Sequence, residues 1–158
     1  MLQIRNASTV FFATNNLYVT LGEKQTISQA TVKYLVGLTS LSSENSLYFI
    51  PHTVTAPNGR YTKLTFSVMP PNTTPAPDPT IGKIMFYITN AGKFDVYPMG
   101  FYKYTIQEQT STTNLDPTLS GAILETGTAY IYDYDGNFEE LPTAFTEYTP
   151  TTPQYVYP

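Results

Sequence analysis

Short runs that alternate apolar and polar residues, separated by turn residues, constrain this sequence more than any other feature. The segment 61–68 is the clearest example. On an extended chain, its residues Leu64 and Phe66 point to one side and Lys63 points to the other. Similar runs recur along the chain, and almost no segment has the 3.6-residue periodicity of an amphipathic helix. The pattern predicts an all-β protein.

The spacing of these runs predicts an antiparallel sandwich of about seven to eight strands, because turns follow one another at intervals of about 8–12 residues. The predicted strands are 17–21, 32–36, 47–50, 61–68, 84–88, 93–97, 100–108 and 125–134. Gly37 is expected to end the second of them. Five prolines within 69–79 exclude a continuous strand there, so we interpret this segment as a long inter-strand loop. The residues expected to be buried are Leu64, Phe66, Ile84, Phe86, Ile106 and Ile131.

The alternation stops after residue 136, which divides the chain into two parts. Residues 1–136 are predicted to form the sandwich, with a strand core at about 17–134. Residues 137–158 contain four prolines and read as an extended C-terminal arm that is too proline-rich to fold alone. The arm is also unusually aromatic, and we expect its rings to contact another protein. These candidate contact residues are Phe138, Phe145, Tyr148, Tyr155 and Tyr157.

The composition excludes several classes of function. The chain has no cysteine and one histidine, which excludes disulfides, thiolate chemistry and multi-histidine metal sites. A net charge of -4 argues against a nucleic-acid partner, and no apolar run is long enough to span a membrane. The start of the chain lacks the pattern of a secretion signal. We therefore expect no enzyme activity, no catalytic residue, no cofactor and no metal.

Three weaker candidates for chemistry remain, and each has an ordinary structural explanation. His52 follows a strand and a proline, where a strand-end histidine is the simpler interpretation. The cluster Asp133, Asp135, Glu139 and Glu140 has some of the oxygen spacing of a calcium loop, but Asp135-Gly136 is also a good hairpin turn. Glu108 and Glu125 would be the carboxylate pair of a sugar hydrolase, although nothing distinguishes them from strand-edge charges.

Tyrosines occur at alternate positions on two predicted strands, at Tyr102 and Tyr104 and at Tyr130, Tyr132 and Tyr134. Each set occupies one face of its strand. Because tyrosine is amphipathic, such a face can belong to the core or form a contact surface for protein or sugar. The sequence leaves both interpretations open.

The string from Gly100 to Pro117, which contains Tyr102-Lys103-Tyr104-Thr105-Ile106, resembles the closing hairpin of small immunoglobulin-like virion proteins of tailed bacteriophages. The strand start Leu124-Glu125-Thr126-Gly127 and the segments 17–24 and 34–36 are similar to other strands of that group. The group includes auxiliary capsid proteins and the amino-terminal domains of baseplate upper proteins. The proline-rich loop and the aromatic arm depart from its pattern.

The resemblance implies an immunoglobulin-like sandwich and a non-enzymatic structural role. The expected function is an auxiliary or decoration protein on the capsid, present in multiple copies and made in the bacterial host cytoplasm. Its expected partners are the major capsid protein or neck and tail proteins. One alternative is a neck, tail or baseplate adaptor for fibres, and another is a carbohydrate-binding module that uses exposed tyrosines.

Overall fold

The alternating runs form strands in two β-sheets. The structure is a computed structural model that describes residues 1–6, 13–55, 61–69, 78–84 and 99–132. Within these residues the strands are β1 (Leu2–Arg5), β2 (Ala13–Val19), β3 (Lys33–Ser40), β4 (Ser46–Phe49), β5 (Thr53–Thr55), β6 (Thr62–Val68), β7 (Lys83–Ile84), β8 (Gly100–Gln109) and β9 (Ile123–Tyr132). Short 3-10 turns lie at Pro79–Ile81 and Pro117–Leu119. The expectation of an all-β fold is confirmed.

The larger sheet has five strands in the order β1-β9-β8-β3-β4, and the smaller has the order β2-β6-β5, with β7 paired to β6 beside β5. Most neighbours are antiparallel. However, β1 runs parallel to β9, and β7 runs parallel to β6, so a purely antiparallel arrangement was wrong. No helix within the described ranges is long and apolar enough to cross a membrane.

The core lies between the two sheets and is supplied by alternate residues of each strand. In β6, Thr62, Leu64, Phe66 and Val68 are all buried, as the sequence pattern predicted. Phe66 meets Phe49 of the other sheet, with ring centroids 4.7 Å apart. Of the six residues expected in the core, Leu64, Phe66, Ile106 and Ile131 are fully buried. The Ile84 side chain and Phe86 lie outside what the structure describes.

Two strand predictions need correction. Gly37 does not end β3, which continues to Ser40. A Cβ atom on Gly37 would come within 2.7 Å of both the Tyr48 ring and the Thr105 hydroxyl oxygen, so this glycine lets neighbouring side chains cross the strand. The strand core begins at Leu2 and not near residue 17, because Leu2–Arg5 form β1 and Ile4 is fully buried opposite Ile131.

Side chains join the two sheets along one edge of the sandwich. Asn15 of β2 accepts a hydrogen bond from the Arg5 backbone N–H at 2.7 Å and donates to the Arg5 carbonyl at 3.0 Å. Further along this edge, the Glu125 carboxylate accepts bonds from the Thr20 backbone N–H and from the Tyr104 hydroxyl. Burial of the Tyr104 ring raises the pKa of its hydroxyl, and the bond to Glu125 raises it further.

The core assignment predicts a large effect of truncating Phe66. Phe66→Ala should lower the free energy of unfolding by about 3–5 kcal/mol, the usual cost of removing a buried aromatic ring. Urea unfolding measures this, with Tyr18→Ala as the control because Tyr18 is 58% exposed on the outer face of β2. A loss below about 1 kcal/mol at Phe66 would mean that the faces of β6 are exchanged.

The position of the strands also predicts that the arm is dispensable for folding. All nine described strands precede residue 133, so a chain lacking residues 138–158 should keep a cooperative unfolding transition. Circular dichroism during thermal unfolding tests this, with the full chain as reference. An unfolded truncated chain would show that the arm is an integral part of the sandwich.

Candidate contact surface

The outer face of the five-stranded sheet carries an exposed aromatic pair. On β8, Tyr102 and Tyr104 point inward, so Phe101 and Lys103 point to the outer face. The register places Phe101 opposite Tyr130 of β9. Their ring centroids are 5.0 Å apart at an angle of 49°, within the range of favourable aromatic contacts. The pair remains accessible, with Phe101 53% exposed.

Three further residues extend this pair at the same end of the sheet. Leu41 is 62% exposed, and its backbone N–H donates to the Phe101 carbonyl at 3.1 Å. Met99 is 43% exposed and lies two residues before Phe101. Tyr132 is half-buried and follows Tyr130 at the next outward position of β9. We call Leu41, Met99, Phe101, Tyr130 and Tyr132 the aromatic patch. Several exposed apolar side chains at one end of a sheet commonly mark an interaction site.

Cationic residues flank the patch. Lys103 is exposed two positions beyond Phe101 on β8, and Arg5 of β1 lies opposite Tyr132. The outward residues from Phe101 to Thr105 on β8 include no acidic side chain. The same is true of the outward residues from Thr126 to Tyr132 on β9. On β8 and β9 this face therefore combines aromatic rings with positive charge, while the exposed Glu44 lies in the turn that begins at Leu41.

The sequence did not decide whether the alternating tyrosines lie in the core or on a contact surface, and the structure assigns the two sets to different faces. Tyr102 and Tyr104 belong to the core, where they are 6% and 7% exposed. A Cβ atom on Gly127 would lie 2.7 Å from the Tyr104 ring, so this glycine makes room for the ring to cross β9. Tyr130 and Tyr132 belong to the outer face. Tyr134 lies outside the described residues.

Glu108 is a structural carboxylate. Glu108 is only 1% exposed. Its carboxylate accepts hydrogen bonds from the backbone N–H groups of Thr26 at 2.9 Å and Ile27 at 3.0 Å, and from the Thr26 hydroxyl. Burial raises the pKa of Glu108, but these hydrogen bonds outweigh it and hold the pKa below its usual value. Glu108 thus fastens the β2–β3 loop over the end of the sandwich. The tyrosine opposite it, Tyr34, has a pKa raised by burial and by the Glu108 charge.

The candidates for chemistry do not assemble into a site within the described residues. Glu108 and Glu125 are both engaged in the structural contacts given above, and each is bonded to a different loop or strand end. His52 is exposed, and its backbone N–H donates to the Thr65 carbonyl. No three metal-binding side chains converge in the part of the chain that the structure describes. The cluster Asp133, Asp135, Glu139 and Glu140 lies outside that part.

The arm residues predicted as protein contacts also lie outside the described residues. These are Phe138, Phe145, Tyr148, Tyr155 and Tyr157. Sequence reasoning pointed to the arm but did not identify Phe101, Leu41 or Met99 as surface residues. The alternation of β8 contained a signal for Phe101, since it lies on the opposite face from Tyr102 and Tyr104.

A scan against protein-family models and searches of curated proteins and solved structures gave no match to this chain.

The hydrogen bonds of Glu108 predict a specific pH dependence of stability. Because its pKa is lower in the folded chain, Glu108 stabilises the fold above the unfolded pKa of about 4.3, and this contribution is lost as the pH falls through the folded value. Glu108→Gln should cost about 1.5–3 kcal/mol at pH 7, the range for hydrogen bonds to charged groups. Urea unfolding from pH 7 to pH 3 should show the gap between variant and parent narrowing.

The control for this experiment is Glu23→Gln, which changes an exposed glutamate in the turn after β2. Its gap from the parent should be small at every pH. If the Glu108→Gln gap stays constant down to pH 3, the carboxylate does not hold the loop in the way described.

Proposed function

We propose that this protein is a non-enzymatic structural component of a bacteriophage virion, acting as an auxiliary or decoration protein on the capsid. The observation that carries the proposal is the aromatic patch, located where the chain leaves β9 toward an aromatic C-terminal arm. Patch and arm together supply the large apolar and aromatic side chains that dominate binding energy in protein interfaces. The resemblance of the Gly100–Pro117 string to small virion proteins of tailed bacteriophages, drawn from the sequence, is the reason for proposing a virion context.

The strand order supports the immunoglobulin-like class within this proposal. An immunoglobulin-like sandwich packs a GFC sheet, extended in variable-type domains by C′, against a sheet containing strands B, E and D. The order β9-β8-β3-β4 corresponds to G-F-C-C′, and β2-β6-β5 corresponds to B-E-D. The chain lacks the cysteine pair and the tryptophan of antibody domains. Inter-sheet contacts such as Phe49 with Phe66 fill the core instead.

The rigidity of the scaffold suits a repeated structural contact. β8 and β9 pair along ten-residue strands, and the loop between them is held by its own hydrogen bonds. Asn114 donates to the Gln109 side chain at 3.0 Å, and Asp116 accepts from Thr118 at the start of a 3-10 turn. A preorganised surface loses less conformational entropy when it docks.

The hydrogen bonds made by the carboxylates of Glu108 and Glu125 support a non-enzymatic role. Glu108 and Glu125 use their oxygens for loop and edge contacts, which gives both carboxylates a structural role. In the assembled particle, we expect the arm aromatics to dock on a neighbouring virion protein. Burial of each large side chain then contributes roughly 1.5–3 kcal/mol before ordering costs.

Incorporation into particles tests this function. Full-length protein should be recovered in purified particles, whereas a chain ending at Gly136 should be recovered at a much lower level or dissociate more readily. Quantitative mass spectrometry measures both, and a copy number in proportion to the capsid subunits distinguishes decoration from a neck, tail or baseplate adaptor. Equal incorporation and equal particle stability of the two chains would contradict the role of the arm.

A carbohydrate-binding function is the second candidate, and the accessible Phe101–Tyr130 pair favours it because sugars stack on aromatic rings. Saturable binding on a glycan array, lost on changing Tyr132 and its neighbour Tyr130 to alanine, would establish this function. Absence of the protein from particles together with such binding would replace the virion proposal.

A further inference from the structure

We infer that the aromatic patch is a contact between two copies of this chain, related by a twofold axis that passes close to Phe101. The contact concerns the protein in solution and does not depend on the virion function. Three features of the described residues support it: the exposed apolar side chains of the patch, the positions of the nearest charges, and the backbone conformation of Glu44.

The apolar centre of the patch is formed by Phe101 and Leu41. Each is more than half exposed, and the Leu41 backbone N–H donates to the Phe101 carbonyl, which holds the two residues side by side. Burying such side chains against another protein contributes favourable free energy. A ring close to a twofold axis meets its own copy, so the Phe101 rings of two chains come together, as aromatic rings favour.

Charges of opposite sign lie on two sides of this apolar centre. Lys103 is opposite Thr39 in the register of β3 and β8, two residues before Leu41. The turn that contains Glu44 follows Leu41, at the end of the sheet. Along the strands, therefore, Lys103 comes first, the Phe101 and Leu41 pair comes next, and Glu44 comes last. Both charged side chains are exposed.

A twofold axis exchanges these two sides. If the axis passes near Phe101 and runs perpendicular to the sheet, Lys103 of one copy meets Glu44 of the other, and the same pair repeats on the far side of the axis. Opposite charges favour this orientation, and like charges oppose an overlay of the two copies in the same direction. The surface is therefore complementary to itself, which identifies a second copy as its occupant.

The backbone of Glu44 is consistent with a role for its carboxylate. Glu44 has a φ of 58°, in the left-handed region that favours glycine, and its N–H donates to the Ser40 carbonyl within the hairpin turn. A glycine would form this turn with less strain. The glutamate adds a negative charge at the edge of the patch, which the turn itself does not require.

The size of the patch determines the expected strength of the contact. A standard interface buries about 800 Å² per partner and involves roughly 20–30 residues on each side. The five patch residues and two flanking charges are fewer than this. We therefore expect a dimer that dissociates readily, with a dissociation constant in the micromolar range, and not a permanent one.

Sedimentation velocity of the full chain over a wide range of concentrations tests the contact. The parent protein should show a reversible monomer–dimer equilibrium. Lys103→Glu alone and Glu44→Lys alone each place like charges together in the dimer, so each should weaken it roughly tenfold or more. The double variant exchanges the two signs and should restore the dimer.

The matched controls make the same charge changes away from the patch. Lys63→Glu changes an outward residue of β6 on the opposite sheet, and Glu23→Lys changes an exposed residue in the turn after β2. Both should leave the dimer unchanged. The urea midpoint of every variant shows whether a loss of dimer comes from loss of the fold.

Spin labels test the orientation, because the chain has no native cysteine. A single label at Thr126→Cys, an exposed outward residue of β9, should give a short distance between the two copies in pulsed electron paramagnetic resonance. A single label at Thr14→Cys, an exposed outward residue of β2 on the opposite sheet, should give a longer one. Dilution with unlabelled protein should weaken both signals.

Four results would overturn the inference. A parent chain that stays monomeric at all concentrations would leave the patch to another occupant. A dimer that tolerates both single charge reversals would place the contact elsewhere. Failure of the double variant to restore the dimer would exclude the pairing of Lys103 with Glu44. Species that grow beyond a dimer would show a head-to-tail contact without a twofold axis. None of these measurements involves particles, so their failure leaves the particle test of the virion function unaffected.

Discussion

The pleat of β8 determines both the core and the surface of this protein. β8 is the central strand of the five-stranded sheet and pairs with β3 and β9 along most of its length. Because alternate residues point to opposite faces, the same strand sends Tyr102, Tyr104 and Ile106 into the core and Phe101 and Lys103 outward. A shift of one residue would bury Lys103 without a partner and expose Ile106, so core burial also fixes the position of the aromatic patch.

Polar side chains form hydrogen bonds with backbone groups that strand pairing leaves unsatisfied. The ends and one edge of the sandwich contain backbone groups that no neighbouring strand satisfies, and buried groups of this kind are costly. Asn15 satisfies the backbone of Arg5, Glu125 satisfies Thr20, and Glu108 satisfies the loop at Thr26. Glu108 and Glu125, which nothing in the sequence distinguished from strand-edge charges, therefore have structural roles. A carboxylate that accepts several hydrogen bonds is held in place by its donors.

The sequence predicted those parts of the fold that depend on local periodicity. β6 and β8 were found nearly to their ends because their alternation is regular and their burial is one-sided. β1 was missed because four residues carry too little pattern, and its pairing partner β9 is more than a hundred residues away. Gly37 was taken as a strand end because the ring of Tyr48 that crosses it belongs to the next strand. The alternation of β8 indicated that Phe101 faces outward, but the patch as a whole depends on the register between β8 and β9 that brings Phe101 to Tyr130.

The aromatic patch imposes a cost on the outer face of the same sheet. Phe101 is 53% exposed, and large exposed apolar side chains favour association with other chains. The cross-strand contact between Phe101 and Tyr130 reduces this cost, because each ring covers part of the other. Lys103, which follows Phe101 on the same face of β8, adds a charge that keeps the neighbouring surface polar. Ring pairing and charge therefore allow β8 and β9 of a single chain to display aromatic rings while Lys103 and Thr128 on the same face stay solvated.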